Sequence, residues 1–349
     1  MKLYGFTFMR NVDQFDYPFV EMLTSLSGLV DKIYLALGDS TDGTEKEIRK
    51  FNNIEIIRTI WDEKLIGDGG KIFSEQANIA LDALRKAHGH EQDAWAIFLH
   101  CDEIIHPKEY DELKENIEYA KDNNYDAVKL RFLHFWKDHY HIAICKRWHP
   151  AEIRAFKLNT DIYCYGDAQG FRGATKEFCS DVSILHYGHV RDPKQHDAKQ
   201  REILRRIRPA EKFKKYYNRE KKIFAKTKTL PILIDHPHFM KDRIERLRDH
   251  FFLPPSEIIY IVGSGSAYKD SIKNKINAKE IHWVKSIKDV PFRFRNKNMI
   301  IINDHRLIKL RYRSHVPSQM HSPQALAWNP EMMLLLKLSE KGISLKPKK

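Results

Sequence analysis

The chain has 349 residues, 42% hydrophobic and 11% aromatic, which is enough for a sizeable core and excludes general disorder. Gly and Pro number only 15 and 14, excluding collagen-like or low-complexity architecture, and no apolar run approaches the roughly 18–20 residues that span a bilayer. The formal charge is +13, from 60 Lys and Arg against 47 Asp and Glu, and the four cysteines fall in no CxxC spacing, so a soluble, cytoplasmic globular protein of one large or two medium domains is expected, without zinc ribbon or disulfide framework.

Leu3–Met9 reads as a strand; it is too short for a signal-peptide core and runs straight into Arg10 and Asn11. Tyr17–Val30 carries Val20, Leu23, Leu26 and Val30 on one face and is predicted helical. Lys32–Leu37 is a second strand. Gly38-Asp39-Ser40-Thr41-Asp42-Gly43-Thr44 follows, rich in helix-starting residues, then a helix to about Phe51. Ile54–Ile60 is a third strand, and Ser74–Ala87 a helix with Ala77, Leu81 and Leu84 inward, closed by Gly89. Trp95–Leu99 is a fourth strand ending at His100-Cys101-Asp102-Glu103. This alternation predicts a mainly parallel sheet with helices on both faces. Ligands of such sheets sit at the carboxyl ends of the strands, where Asp39/Asp42 and Asp102/Glu103 both fall.

Beyond Asp126 come strands at Ala127–Phe132, Glu152–Phe156 and Val182–Tyr187, then helices to about His250. Between Lys194 and His250, 18 Lys and Arg stand against eight Asp and Glu, with Ile203, Leu204, Ile207 and Phe213 as an apolar stripe. Two readings are open: a solvated helix face, or a surface attracted to an anionic membrane or phosphate-bearing acceptor, with Arg205, Arg206 and Arg208 foremost. After Pro254-Pro255, strands near Ile258–Val262, Ile281–Val284 and Met299–Ile302 and a helix near Tyr268–Ile276 form a separate small α/β unit. Its Gly263-Ser264-Gly265 reads as a plain tight turn, because Tyr268 stands where the third glycine of GxGxxG would fall. The expected division is 1–192, 193–254 and 255–349.

An acidic pair at a strand end suits a hard cation such as Mg²⁺ or Mn²⁺. Asp102 and Glu103 are adjacent and would point to opposite faces, Asp102 being the better placed to reach a metal. A solvated strand-end turn is the alternative. The basic character also leaves a non-enzymatic nucleic-acid-binding protein open.

The order Phe8-Met9-Arg10-Asn11, Gly38–Thr44, Asn78, Trp95–His106, Arg147-Trp148, Glu152-Ile153-Arg154, Asp167-Ala168-Gln169-Gly170-Phe171-Arg172 and Leu185-His186-Tyr187-Gly188 resembles family 2 glycosyltransferases. The likeness is to the subset in which a Gln-Ala-Asp-Glu segment replaces Asp-x-Asp, and it covers roughly residues 1–250. It implies a GT-A fold, a nucleotide-diphosphate sugar as donor, and inverting transfer to a carbohydrate or glycoconjugate hydroxyl. It further implies a divalent metal held by Asp102, Glu103 and His186, and donor contacts from Arg10, Asn11 and Asp39. Lys71 and Arg172 are candidate helpers in neutralising the diphosphate, with surface charges as the alternative. Replacing Asp102 by Asn is then expected to abolish metal-dependent nucleotide binding while sparing the fold. His100 stands in place of the first acid of Asp-x-Asp, and Gly38-Asp39 reverses the usual Asp-Gly order. Asp39 is the candidate acceptor for a uracil-type N3–H, whereas Asp42 reads as a helix cap. Inversion needs a base for the acceptor's proton; Asp167 is the first candidate and Glu152 the second. The same-fold rival is a sugar-phosphate nucleotidyltransferase, but Phe8-Met9-Arg10-Asn11-Val12 lacks the Gly-rich, Arg-containing loop those enzymes resemble one another in.

Overall fold

The computed structural model describes residues 1–143, 149–227, 229–232, 234, 236–247, 256–262, 278–284, 299–302, 310–312 and 326–328. The chain forms two compact units, the first of Met1–His134, His149–Lys226 and Pro237–Leu247, the second of Phe135–Trp148, Thr227–His236 and Arg248–Lys349. The boundaries thus differ from those expected at 192 and 254. The basic helices pack within the first unit, and two short internal stretches join the C-terminal residues.

β1 (Lys2–Met9), α1 (Phe19–Ser27), β2 (Lys32–Leu37), α2 (Thr44–Ile48), β3 (Ile54–Arg58), α3 (Lys71–His88) and β4 (Ala94–Phe98) alternate as expected. Then come β5 (Glu103–Ile105), α4 (Tyr110–Asp122) and β6 (Ala127–Trp136), within which the chain passes into the second unit and through β7 (His141–Ala143). The first unit resumes with β8 (Ala151–Lys157), β9 (Tyr163–Tyr165), β10 (Gly170–Arg172), β11 (Glu177–His189), α5 (Pro193–Ile207) and α6 (Phe213–Lys226). β12 (Thr229–Pro231) belongs to the second unit and α7 (Lys241–Leu247) to the first.

In the first unit β3, β2, β1 and β4 are successive parallel neighbours. β8 joins β4 antiparallel, β6 joins β8, and β11 pairs antiparallel with β5. This is the Rossmann-like, mixed and mainly parallel class expected. Alternate residues of β1 serve two faces. Tyr4 and Phe6 meet Ala77, Ala80, Leu81 and Leu84 of α3, together with Tyr34 and Ala36 of β2. Gly5 faces the other way, where an added Cβ would lie 3.0 Å from Leu26; the missing side chain lets α1 settle on the sheet. Phe6, Phe98, Phe156 and Phe171 mesh with ring centroids 5.0–5.9 Å apart. Each fully buried Leu or Phe here is worth about 1.5–3 kcal/mol over its exposed state.

α3 starts three residues before the expected Ser74, because Gly69 and Gly70 take positive φ and turn the chain into the helix. Asn78 then clamps β9, accepting from Cys164 N at 2.9 Å and donating to Cys164 O at 3.0 Å. Its place in the motif order is therefore accounted for by packing.

In the second unit β7 and β12 pair antiparallel. β13 (Ser256–Val262) lies between β14 (Ala278–Val284) and β15 (Met299–Ile302), parallel to both, and β16 (Leu310–Tyr312) pairs antiparallel with β17 (Leu326–Trp328). The three strands expected after residue 255 are present. The expected helix at Tyr268–Ile276, the Gly263-Ser264-Gly265 turn, Arg147-Trp148 and Pro254-Pro255 lie outside the described residues. Among the described residues no helix is long and apolar enough to cross a membrane.

Candidate active site

β1 and β2 end side by side, Met9 opposite Leu37, so their loops leave the same edge of the sheet. Arg10 donates to both Asp39 oxygens, at 2.7 and 3.2 Å, and its guanidinium lies 5.6 Å from the Trp61 ring centre. Asn11, at φ +51°, accepts from Thr41 N at 2.7 Å, while its own N–H donates to Ser40 Oγ at 3.0 Å. Arg10, Asn11 and Asp39 are thus brought together. The Asp39 side chain keeps 55% exposure and has lone pairs to spare beyond Arg10. Asp42 accepts from Thr44 N at 3.0 Å, in the turn before α2, and from Gln14 N at 2.9 Å, which ties the loop after β1 to the loop after β2.

In the turn between β4 and β5 the two acids part, Asp102 lying in the turn and Glu103 opening β5. Glu103 turns to Arg154, whose terminal nitrogen and Nε donate to its two oxygens, each at 2.9 Å; His100 N adds a bond at 3.2 Å. Burial pushes the Glu103 carboxyl up, but Arg154 and His100 outweigh it and the pKa falls. With both oxygens engaged inside the protein, Glu103 leaves the expected metal set. It is the buried counter-ion of Arg154, which also donates to Gln169 O at 3.0 Å and so places the turn that carries Asp167.

Asp102 points the other way. Lys199 Nζ, from α5, donates to Oδ2 at 2.9 Å and to Gly188 O at 2.7 Å, and Arg191 lies 4.0 Å from the same oxygen. Oδ1 faces His186 Nε2 at 3.7 Å, beyond hydrogen-bond range. A Cβ on Gly188 would fall 2.6 Å from His186 Nε2 and 3.0 Å from Asp102 Oδ2, so glycine keeps this space open. Burial pushes the Asp102 carboxyl up, yet Lys199 and Arg191 beside it hold it well below the usual carboxylate range. Burial brings Lys199 down to about 8, which leaves it cationic at neutral pH.

His134 sets the protonation of His186. His134 Nε2 lies 2.9 Å from His149 O, a carbonyl that only accepts, so Nε2 carries the proton. Burial, aided by His186, lowers the His134 pKa to about 3, and Nδ1 of the neutral ring accepts from its neighbour at 3.0 Å, His186 Nδ1. Burial lowers His186 as well, so its Nε2 presents a lone pair towards Asp102. A carboxylate oxygen and an imidazole nitrogen facing each other over a glycine suit Mn²⁺ better than the all-oxygen preference of Mg²⁺. Among the described residues no cluster of three or more His, Cys, Asp or Glu is gathered there.

Asp167 lies between β9 and β10, against the loop that opens α3. A Cβ on Gly70, at φ +88°, would lie 2.5 Å from Asp167 Cβ. Burial raises the Asp167 pKa against the opposing pull of backbone amides, His100 and His149. Glu152 is engaged differently: it accepts from His149 Nδ1 at 2.9 Å, and His149 Nε2 donates to Gln169 Oε1 at 2.8 Å. The His149 pKa is raised chiefly by Glu152, against burial. Lys71 and Arg172 stay on the surface, Arg172 stacked 4.0 Å from the Tyr165 ring centre.

Sequence reasoning missed His134, His149, Arg191 and Lys199. Only Lys199 left a signal: it follows His196 by three residues on the buried face of α5, and an inward Lys needs a carboxylate partner.

No family model matches the chain, and no curated protein matches it. Among solved structures the chain is similar to S. aureus TarS 1-349, at 15% identity and TM-score 0.35, over 58% of this chain and 64% of that one. The same protein in complex with UDP gives 15% identity, TM-score 0.34 and the same coverage. 4-Diphosphocytidyl-2C-methyl-D-erythritol synthase gives 11% and 0.31, over 45% of this chain and 76% of that one. The chain thus spans less than two thirds of the TarS 1-349 length.

Proposed function

We propose that the chain is a metal-dependent glycosyltransferase that moves a sugar from a nucleotide-diphosphate sugar to an acceptor hydroxyl, with inversion. The observation that carries this reading is the pair Asp102 Oδ1 and His186 Nε2, facing each other across 3.7 Å on the side of the sheet where parallel strands end. Asp102 and His186 would hold the divalent ion; when bound, it supplies positive charge to the departing diphosphate. Arg10, Asn11 and Asp39 would hold the nucleoside end, Asp39 accepting from a uracil-type N3–H. Asp167, its pKa raised by burial, would take the acceptor's proton. Glu152 is the second choice, since its charge already answers His149.

The acceptor side of the reading includes an anionic surface, which the outer cations of α6 suit by charge: Lys215, Arg219, Lys222 and Lys226 are all exposed. The test of the activity is to incubate the protein with Mn²⁺ and nucleotide-sugars and assay the products. Release of nucleoside diphosphate supports glycosyl transfer, whereas release of pyrophosphate from a nucleoside triphosphate and sugar phosphate would replace it by the nucleotidyltransferase reading.

A further inference from the structure

Asp102 uses its two oxygens differently. Lys199 Nζ grips Oδ2 at 2.9 Å with Arg191 at 4.0 Å, while Oδ1 faces His186. Lys199 is also locked in place: it is 5% exposed, bonded to Gly188 O, and its Nζ lies 4.6 Å from the Tyr17 ring centre. The charge of Asp102 is therefore answered by an ammonium and a guanidinium from the chain itself. A bare divalent ion arriving at Oδ1 would find a carboxylate already answered by Lys199 and Arg191. A diphosphate brings the negative charge and the oxygen ligands that such an ion still needs.

We infer that Lys199 is a positioning residue that turns Asp102 Oδ1 towards His186 and cancels the Asp102 charge, so that the divalent ion binds together with the donor's diphosphate and not before it. This rests on the nucleotide-sugar reading of the site. The donor then controls when the metal is present, and product release empties both positions together.

Electron paramagnetic resonance of free Mn²⁺ tests this on the full chain. Mn²⁺ alone should leave the free-ion signal undiminished, and with one of UDP, GDP, ADP or CDP the protein should deplete it beyond what that nucleotide removes without protein. Lys199→Met should raise affinity for Mn²⁺ alone by about tenfold or more, and Lys199→Arg should not. Adding Asp102→Asn to Lys199→Met should erase the gain. Mn²⁺ alone binding the parental chain as tightly as with nucleotide overturns the inference, and so does a folded Lys199→Met with no gain. Should Lys199→Met fail to fold, the parental comparison decides. If no nucleoside diphosphate binds with or without Mn²⁺, the nucleotide-sugar reading falls and the coupling with it, whereas the gain in Lys199→Met would still uphold the cancelling of Asp102 by Lys199.

Discussion

A general base acts only in the transition state, so Asp167→Asn should lower transfer by about 10²–10⁴-fold while leaving nucleotide affinity near the parental value. Steady-state rates beside calorimetry separate the two quantities. Because burial raises its pKa, Asp167 loses its basic form at a higher pH than an ordinary Asp does. The acid limb of kcat/KM should lie there and disappear in the Asn variant; an unchanged rate would move the role to Glu152. Asp102 calls for a correction to what its motif suggests. Asp102→Asn would not spare the fold, because it strands the buried Lys199, and breaking a buried pair costs about 3–5 kcal/mol. Urea unfolding near neutral pH measures this loss. The folded pKa of Asp102 lies below its unfolded value of about 3.9, so its contribution is present above that pH and lost as pH falls. The parental protein should therefore lose more stability on acidification than Asp102→Asn does.

The loop that opens α3 and the turn after β9 are built to touch. Gly70 combines φ +88° with a virtual Cβ 2.5 Å from Asp167 Cβ, so Gly70→Ala meets both backbone strain and a clash. It should destabilise the protein by about 1–3 kcal/mol and lower turnover by displacing Asp167, seen as a lower Tm together with a lower kcat. The basic helices divide their labour in a way their composition does not reveal. Arg206 pairs with Glu202 and lies over Trp61, and Arg208 stacks on Tyr216, so the second half of α5 faces inward more than its charge suggests. The outward cations are on α6. Reversing Lys215, Arg219, Lys222 and Lys226 to Glu should abolish salt-sensitive sedimentation with acidic-lipid vesicles, whereas neutralising Arg205, Arg206 and Arg208 should weaken it less. Equal sedimentation of parental and reversed chains would return α6 to a solvated face.

Every candidate site residue from Arg10 to Lys199 lies in the first unit. A ligand that binds this unit stabilises it by mass action, about 2.7 kcal/mol at one hundred times Kd. At about 2–4 °C per kcal/mol for a unit of this size, Mn²⁺ with the right nucleoside diphosphate should raise its transition by roughly 5–10 °C. Differential scanning calorimetry should show that shift in the first unit's transition and leave the second unit's in place. A shift of the second unit alone would relocate nucleotide binding to the β13–β15 sheet.

The strand and helix alternation up to β4 was legible because it is written in spacing along the chain. Tyr4 and Phe6 alternate with Gly5 for two faces of a strand, and Ala77, Leu81 and Leu84 repeat at helical intervals. The parallel order then brings loop ends to one edge, which is why Arg10, Asn11, Asp39 and Asp102 could be picked out in advance. Their partners could not be. Lys199 meets Asp102 from 97 residues away, Arg154 meets Glu103 from 51, and His134 meets His186 from 52. Such meetings follow from which strands lie side by side and on which edge a helix lands, and no local period records either. A carboxylate at a strand end can be a ligand, a base or a structural counter-ion; the side chain that reaches it across the fold decides, as Arg154 does for Glu103 and Lys199 for Asp102.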